Sequence, residues 1–223
     1  MGDVSDLQIF PEDWNTALVL VAHPDDPEYG MAAAVARWTG QGKTVAYGLA
    51  TSGEAGIEGM SPTTAGPVRE EEQRRSAAVV GVDDVRFWGF PDSNVRNTPE
   101  LRAAVTRAIA DHRPDVVITI WGGAEWAPGA PNQSDHREFT AAVGEAAAAS
   151  GVTAYQTSPE PTLIVDVTGY TERAVESLAE HRQYLSVLDP STPVIEQARQ
   201  QVTSACLPRA EFAHAVGFVP LSG

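Results

Sequence analysis

Short apolar segments of strand length recur along the chain and are separated by segments with helical periodicity. Thr16–Ala22 (TALVLVA) is almost wholly apolar and rich in branched residues, and Asp115–Ile120 (DVVITI) has the same character. Apolar runs of this kind are typical of strands that are covered on both faces, as in a parallel sheet. Weaker segments of the same type predict further strands at Thr44–Ala50, Val82–Trp88 and Thr162–Val167.

Predicted helices lie between these strands, and proline and glycine mark several of their ends. Met31–Thr39 is followed by Gly40, and Pro67–Val80 begins with proline and is followed by Gly81, which are the residues favoured at helix starts and ends. The other predicted helices are Pro99–His112, Asp135–Ala149, Thr171–Leu188 and Val194–Val202. The alternation predicts an α/β fold with a Rossmann-like, doubly wound, mainly parallel sheet in a three-layer αβα arrangement.

Composition and charge narrow the range of folds and partners. With 223 residues the chain is long enough for one buried core and short for two, so we expect a single domain over residues 1–223. Hydrophobic residues make up 43% and charged residues 20%, which excludes the disordered and fibrous classes. The 15 basic and 30 acidic residues give a net charge of −15, so we expect neither a nucleic-acid nor a membrane partner. Assembly as a homo-oligomer stays open.

The cysteine content and the lack of targeting patterns indicate in which cellular compartment the protein is expected. Cys206 is the only cysteine, which excludes an internal disulfide and a thiolate-rich metal site. The first residues have neither a basic leader nor an apolar core of the signal-peptide type, and no run of about 18 apolar residues occurs. We therefore expect a cytoplasmic protein.

Histidine and carboxylate residues follow the two strongest predicted strands. His23, Asp25 and Asp26 come directly after the first strand, and Asp135 and His136 come at the end of the loop after the second. In open parallel sheets, ligands bind beyond the carboxyl ends of the strands. Two imidazoles and a carboxylate make the usual ligand count of a catalytic zinc site, and a nearby carboxylate can take a proton from the bound water. In the alternative interpretation, these aspartates only cap the helices that follow.

A family resemblance adds to this pattern. The segment AHPDDPEYG resembles the AHPDDE signature of the PIG-L/LmbE family of zinc-dependent N-deacetylases, which act mostly on N-acetylglucosamine-type groups. The segments TSGEAG, REEEQRRSAAVVGV, FWGFPDS and SDHRE follow the order and spacing of that family over most of the chain. The resemblance implies hydrolysis of the acetamide of an N-acetyl amino sugar or a related small-molecule conjugate. It implies His23, Asp26 and His136 as zinc ligands and Asp25 as the general base.

The resemblance extends to residues that the pattern alone would not single out. Glu54, Arg69 and Asp92 match family positions that look like substrate contacts. Without the family match, they are typical of a loop carboxylate, a helix-surface arginine and a turn aspartate. Histidine and carboxylate ligands also accept Fe²⁺ or another divalent ion, so zinc is a preference among metals.

The chain departs from the family at the position expected to supply an acid. Gln133 stands where the family usually has a histidine assigned as an electrostatic stabiliser or general acid, two residues before Asp135, which belongs to the same candidate catalytic group. A glutamine amide can donate a hydrogen bond to an oxyanion, but it cannot deliver a proton at neutral pH. His181 is the leading replacement, either as the acid or as a supporting residue, with a structural helix-face role as the alternative. The change also raises a second hypothesis, a non-catalytic or altered-activity member that binds metal and sugar.

The segment after Asp26 also departs from the family. Pro27 stands where the family usually has glutamate, and Glu28 follows it. The loop Trp121–Ser134 carries two tryptophans, for which stacking on a sugar ring and anchoring of the loop both stay open. The charged residues within Glu70–Arg75 are predicted to form a solvent-exposed helix face.

Overall fold

The computed structural model describes residues 7–222, which fold around a mixed β-sheet. The strands in this range are β1 (Gln8–Ile9), β2 (Thr16–Val21), β3 (Thr44–Leu49), β4 (Asp84–Phe87), β5 (Val116–Thr119), β6 (Glu125–Ala127), β7 (Ala130–Pro131), β8 (Thr153–Thr157), β9 (Leu163–Asp166) and β10 (Ala215–Pro220). The helices are α1 (Asp26–Gly30), α2 (Ala32–Gly40), α3 (Pro62–Val79), α4 (Pro99–His112), α5 (Ser134–Ser150), α6 (Thr171–Leu178), α7 (Arg182–Leu188) and α8 (Val194–Ala205).

The central sheet has the strand order β1-β9-β10-β8-β5-β2-β3-β4. Neighbouring strands from β8 to β4 are parallel, as is the β1 and β9 pair, whereas β10 runs antiparallel to both of its neighbours. Helices α4 and α5 pack together, and α2, α3 and α8 each pack on α6. The predicted three-layer α/β fold is confirmed, with β10 as the antiparallel exception.

Strand β2 shows why its sequence is apolar without alternation. Val19 and Val21 belong to one hydrophobic core cluster, and Leu18 and Leu20 belong to another. All four side chains are fully buried. Because successive side chains of a strand point to opposite faces, both faces of the sheet at β2 are covered.

The helix predicted over Thr171–Leu188 is two helices, α6 and α7, and a side chain of α3 contacts the start of the second. Glu72 is buried on α3, and its Oε1 atom accepts a 2.6 Å hydrogen bond from the backbone N–H of Gln183, in the first turn of α7. This contact satisfies an N–H group that has no partner inside its own helix. The prediction of a wholly exposed charged face on α3 is therefore wrong at Glu72, whereas Glu71, Arg74 and Arg75 are exposed.

Other predicted boundaries differ in detail. α3 begins at Pro62, so Pro67 lies inside the helix. β8, β10 and the β6–β7 hairpin were not predicted from sequence. In the part of the chain that the structure describes, each helix is too short or too polar to cross a membrane. A single domain over the whole chain stays a prediction.

Candidate metal centre and its cavity

The three residues predicted as metal ligands come together at the carboxyl ends of β2 and β5. His23 lies in the turn after β2, Asp26 is the first residue of α1 after that turn, and His136 lies in the first turn of α5, beyond the loop that follows β5. β2 and β5 are paired in the sheet, so two histidines that are 113 positions apart in sequence become neighbours. All three side chains are buried.

The donor atoms are spaced as a small divalent cation requires. Nδ1 of His23 is 3.3 Å from Nε2 of His136, which is 3.0 Å from Oδ1 of Asp26. Oδ2 of Asp26 is 3.6 Å from Nδ1 of His23. Ligand atoms that are about 2.0–2.1 Å from a tetrahedral zinc ion lie about 3.3 Å from one another. The atoms present therefore fit such an ion.

The second ring nitrogen of each histidine faces an acceptor, which orients the ring for metal binding. Nδ1 of His136 is 3.0 Å from Oδ1 of Asn132, and Nε2 of His23 is 3.3 Å from both Oδ2 of Asp135 and Oδ1 of Asp92. A proton on these outer nitrogens leaves the lone pair of the inner nitrogens free for a metal. Asp135 thus contacts the candidate ligand His23 through its outer ring nitrogen.

The electrostatics of this cluster favour positive charge. Burial lowers the pKa of His23, but hydrogen bonds that its ring donates to carboxylates, that of Asp135 foremost, raise the pKa well above its usual value. Burial raises the pKa of Asp26, but its contacts with His136 and His23 hold that pKa well below its usual range. The anionic carboxylates would also stabilise a divalent cation between the two rings.

Asp25 lies beside the three candidate ligands His23, Asp26 and His136, which we call the metal trio, and it has a left-handed backbone conformation. Its φ angle is 83°, which is uncommon for a residue other than glycine and costs about 1–3 kcal/mol. Its Oδ2 atom is 3.2 Å from Nη2 of Arg69, and its backbone N–H donates a 2.7 Å hydrogen bond to Oε1 of Gln73. Burial raises the pKa of the Asp25 carboxyl to about 6, and the Arg69 guanidinium opposes the rise. Such a carboxylate can accept a proton near neutral pH.

The capping interpretation is wrong for both aspartates of this turn. Asp25 stands at the N-cap position of α1, but its side chain makes no capping hydrogen bond. The Asp26 carboxylate accepts a hydrogen bond from the N–H of His23 and faces His136. Both carboxylates are therefore available to the site.

A buried polar chain lies behind Asp25, and no motif of the sequence points to its central residue. Gln73 is fully buried on α3, and its Nε2 atom donates to both carboxylate oxygens of Glu28 at 3.2 Å. Nε2 of His181 is 3.4 Å from Oε2 of Glu28. Neither ring nitrogen of His181 has a hydrogen-bond partner among the described residues. The only sequence signal for Gln73 was an uncharged polar residue within a charged helical run.

His181 does not lie where a proton donor to a ligand should lie. It is fully buried at the start of α7 and is not among the residues that line the cavity over the trio. Glu28 lies against its ring, with 3.4 Å between Oε2 of Glu28 and Nε2 of His181. The prediction of His181 as a replacement acid does not fit this placement, whereas a supporting role remains a prediction.

Of the predicted substrate contacts, Glu54 lies behind the site and Asp92 faces it. Asp92 lines the cavity, and its Oδ2 atom accepts a 2.8 Å hydrogen bond from the N–H of Ala55. Glu54 is not among the lining residues; its Oε1 atom accepts a 2.9 Å hydrogen bond from the N–H of Asp92. Glu54 therefore holds the loop that carries Asp92.

Arg69 lines the cavity as a buried residue, so the alternative of a helix-surface arginine is wrong. Beside its ion pair with Asp25, its guanidinium donates to the carbonyls of Pro24 and Gly53 at 2.7 and 3.2 Å. It also lies over the ring of Tyr184, 4.3 Å from the centroid. These contacts fix the guanidinium against the turn that carries Asp25.

A cavity of about 840 Å³ opens onto the trio. Gln133 lines this cavity at the N-cap position of α5, and its side chain makes no capping hydrogen bond. Trp126, on the β6–β7 hairpin, meets the ring of His136 edge-on with 5.6 Å between centroids, and it is 40% exposed. Nε1 of Trp121 donates to the carbonyl of Glu125 at 2.8 Å, so Trp121 anchors the hairpin.

A family model and curated relatives match the part of the chain that holds the trio. The model of the GlcNAc-PI de-N-acetylase family, PIG-L, matches residues 18–147. The Bacillus anthracis protein named probable N-acetyl-alpha-D-glucosaminyl L-malate deacetylase 2 is 30% identical over 138 residues, which cover 59% of this chain and 58% of that protein. Diacetylchitobiose deacetylase of Thermococcus kodakarensis is 32% identical over 114 residues, 48% of this chain and 40% of that protein. The chain thus spans about half of the length of these curated relatives.

A solved structure extends the likeness over most of the fold. The complex of N,N'-diacetylchitobiose deacetylase from Pyrococcus horikoshii with its inhibitor MPG matches with a TM-score of 0.82 and 20% identity. The match covers 94% of this chain and 84% of that chain. At this level of identity, the similarity shows a shared fold.

Proposed function

The chain belongs to the PIG-L family, and on that premise we propose that it is a metal-dependent N-deacetylase. The proposed substrate is a small-molecule conjugate of an N-acetylated amino sugar, whose acetamide is hydrolysed to acetate and a free amine. The names of the relatives support this class of substrate, since they act on N-acetylglucosaminyl malate and diacetylchitobiose. Because proteins of one fold can differ in activity, the activity of this chain has to be measured.

One observation carries the proposal. Nδ1 of His23, Nε2 of His136 and the carboxylate of Asp26 converge within 3.0–3.6 Å of one another, next to the carboxylate of Asp25. These residues would hold the metal, and two imidazoles with one carboxylate favour zinc among the divalent ions. A divalent ion bound there supplies Lewis acidity, which polarises an amide carbonyl and lowers the pKa of water.

The residues of the chain divide the proton transfers between them. Asp25 accepts a proton from the attacking water, for which a pKa of about 6 is suitable. Arg69 holds the Asp25 carboxylate in place through their 3.2 Å ion pair. As the C–N bond breaks, the protonated Asp25 donates its proton to the departing nitrogen, which leaves as the amine. This return of the proton requires no histidine at position 133.

Gln133 and Asp92 are proposed to stabilise and orient the substrate. The Gln133 amide lines the cavity and can donate a hydrogen bond to the oxyanion that forms on the former carbonyl oxygen. Asp92 can accept hydrogen bonds from sugar hydroxyls, and the exposed face of Trp126 can pack against a sugar ring.

Acetate release tests the proposal directly. The zinc-loaded protein is incubated with N-acetylglucosamine conjugates, and acetate and metal content are both measured. We expect Asp25→Asn to keep its metal and lose turnover, and His136→Ala to lose both. A native protein that binds one equivalent of zinc and releases no acetate from any conjugate would favour the non-catalytic binding hypothesis. Unchanged zinc content in His136→Ala would contradict the ligand assignment.

The proposal extends to the cellular compartment of the protein. Cys206 is free and buried, and a chain without disulfides suits a reducing compartment. We propose a cytoplasmic location on this ground together with the small-molecule substrate.

A further inference from the structure

The cavity extends well beyond the metal trio, along the edge of the sheet. Its walls include residues at the ends of β2, β5 and β8 and at the start of β10, which are consecutive strands in the sheet. Three strand spacings of about 4.8 Å correspond to about 14 Å. The cavity has a volume of about 840 Å³, which is more than one N-acetylated sugar ring fills. It therefore has room for the group to which the sugar is joined.

The two ends of the cavity differ in charge. The lining carboxylates Asp25, Asp26 and Asp92 all lie at the metal end, together with Arg69, which is paired with Asp25. A second part of the wall, which we call the far end, is formed by α8, which also packs on α1, by the segment between α8 and β10 and by the start of β10. Its single charged side chain among the lining residues is Arg209.

Arg209 has no partner for its charge among residues 7–222. Its guanidinium makes no hydrogen bond or ion pair with these residues, and its Nε atom is buried without a partner. A guanidinium has five N–H donors in a planar fork that matches a carboxylate or phosphate. A half-buried arginine of this kind gains most from an anionic ligand that completes its hydrogen bonds.

The backbone supports Arg209 at this place. The N–H and C=O groups of Arg209 both pair with Phe212, at 3.2 and 3.0 Å, which forms a small closed turn. Beside it, Leu207 lines the cavity and is 46% exposed. The far end thus combines one cation with apolar surface.

We propose that Arg209 forms an anion-binding subsite, so that the preferred substrates are N-acetylated amino-sugar conjugates whose non-sugar part carries a carboxylate or phosphate. This inference rests on the proposed deacetylase function. It assigns Arg209 to recognition of the conjugated group, at the wall of the cavity formed by α8, the segment after it and the start of β10. A neutral conjugate would leave the guanidinium without its partner.

A matched set of conjugates tests the subsite. N-acetylglucosamine is joined through the same alkyl linker to a carboxylate, to the corresponding carboxamide and to a phosphate, and kcat/KM is measured for each. We expect the native enzyme to prefer the carboxylate or the phosphate over the carboxamide by about tenfold or more, and we expect the preference to lie in KM. In Arg209→Gln this ratio falls close to one, and in Arg209→Lys it is intermediate. The comparison of carboxylate with phosphate identifies which anion fits.

Binding to a variant without turnover separates this inference from the proposed function. The dissociation constants of the same conjugates are measured calorimetrically with Asp25→Asn and with Asp25→Asn/Arg209→Gln. Arg107→Gln is the matched control, because Arg107 is exposed on α4 outside the cavity and the charge change is the same. Preferential binding of the anion that disappears only with Arg209 supports the subsite even if no conjugate is hydrolysed. An equal preference in the native protein and Arg209→Gln, or no preference in the native protein, overturns it.

Discussion

The backbone N–H of Asp25 donates a 2.7 Å hydrogen bond to the side-chain oxygen of Gln73, which lies 48 positions further along the chain. The same glutamine donates from Nε2 to Glu28 at 3.2 Å. Asp25 has a φ angle of 83°, and a conformation of this cost persists only when its surroundings hold it. Gln73 is therefore part of what holds the proposed base at the metal centre.

We predict that Gln73→Leu lowers kcat by about tenfold or more, since a small displacement of a catalytic group has a large effect on rate. Zinc content and KM are expected to change little, because the metal trio and the cavity wall stay in place. The free energy of unfolding should fall by about 1–3 kcal/mol, as two buried partners lose a hydrogen bond. Steady-state kinetics, metal analysis and urea unfolding check these effects. Gln200→Leu is the control, because Gln200 is exposed. An unchanged kcat would show that Gln73 does not position Asp25.

Asn132 connects a candidate ligand to the loop after β5. Its Oδ1 atom is 3.0 Å from Nδ1 of His136, and its Nδ2 atom donates to the carbonyls of Trp121 and Gly123 at 2.8 and 2.9 Å. We predict that Asn132→Ala weakens zinc binding by about 10–100-fold, because partners behind a metal-binding histidine contribute this much to affinity. Competition with a chelator measures the effect. Asn94→Ala, at an exposed position, should bind zinc as the native protein does.

Gln133 tests how the leaving amine receives its proton. We predict that Gln133→Ala lowers kcat by at least about tenfold with little change in KM, because a donor to the oxyanion acts mainly in the transition state. Gln133→His is expected to leave kcat close to the native value, because an imidazole can replace the hydrogen bond to the oxyanion and Asp25 already returns the proton to the amine. Rate measurements on one conjugate decide between the outcomes. A kcat of Gln133→His well above the native value would contradict the role of Asp25 as the proton donor.

Glu12 gives a prediction about stability and pH that is independent of the metal centre. Its carboxylate accepts hydrogen bonds from the Arg37 guanidinium at 3.1 and 3.2 Å and from Nε1 of Trp38 at 2.8 Å. Burial raises the pKa of Glu12, but these contacts outweigh burial and lower it below its usual value of 4.5. The stabilisation is therefore present above the usual pKa and is lost as the pH falls through the lowered pKa.

We predict that Glu12→Gln lowers the free energy of unfolding by about 1–2 kcal/mol at pH 7, a shift of about 2–8 °C in Tm. The difference from the native protein should shrink as the pH falls below 4.5. Thermal unfolding followed by circular dichroism between pH 3.5 and about 7 measures both effects. Glu58→Gln, at an exposed loop position, is the control. A difference that stays constant over this pH range would contradict the role given to Glu12.

The sequence predicted the parts of the site that depend on strand ends, and it missed those that depend on how helices pack. His23, Asp26 and His136 follow strands whose apolar character was clear, and parallel strands bring their carboxyl ends to one edge. Gln73 looked like one more polar residue on a charged helix. Its burial follows from the packing of α3 on α6 and α7, which no pattern within α3 reports.

The last third of the chain also contains features that the sequence does not predict. β10 enters the sheet antiparallel between β8 and β9, and the alternation of strands and helices carries no information about an inserted strand. After the break between α6 and α7, the start of α7 donates a hydrogen bond to the Glu72 carboxylate, which is 111 positions away in sequence. Helical periodicity continues through that break, so the sequence predicted one helix.

Because His23 and His136 are 113 positions apart in sequence, a metal ion bound by both would also affect how long the protein persists in the cell. An ion held by both rings can bind the native chain but not the unfolded one, and at 100 times its dissociation constant it adds about 2.7 kcal/mol to the free energy of unfolding. Depletion of such an ion would then lower the amount of intact protein by exposing it to proteolysis, in addition to removing the Lewis acid that the proposed amide hydrolysis requires.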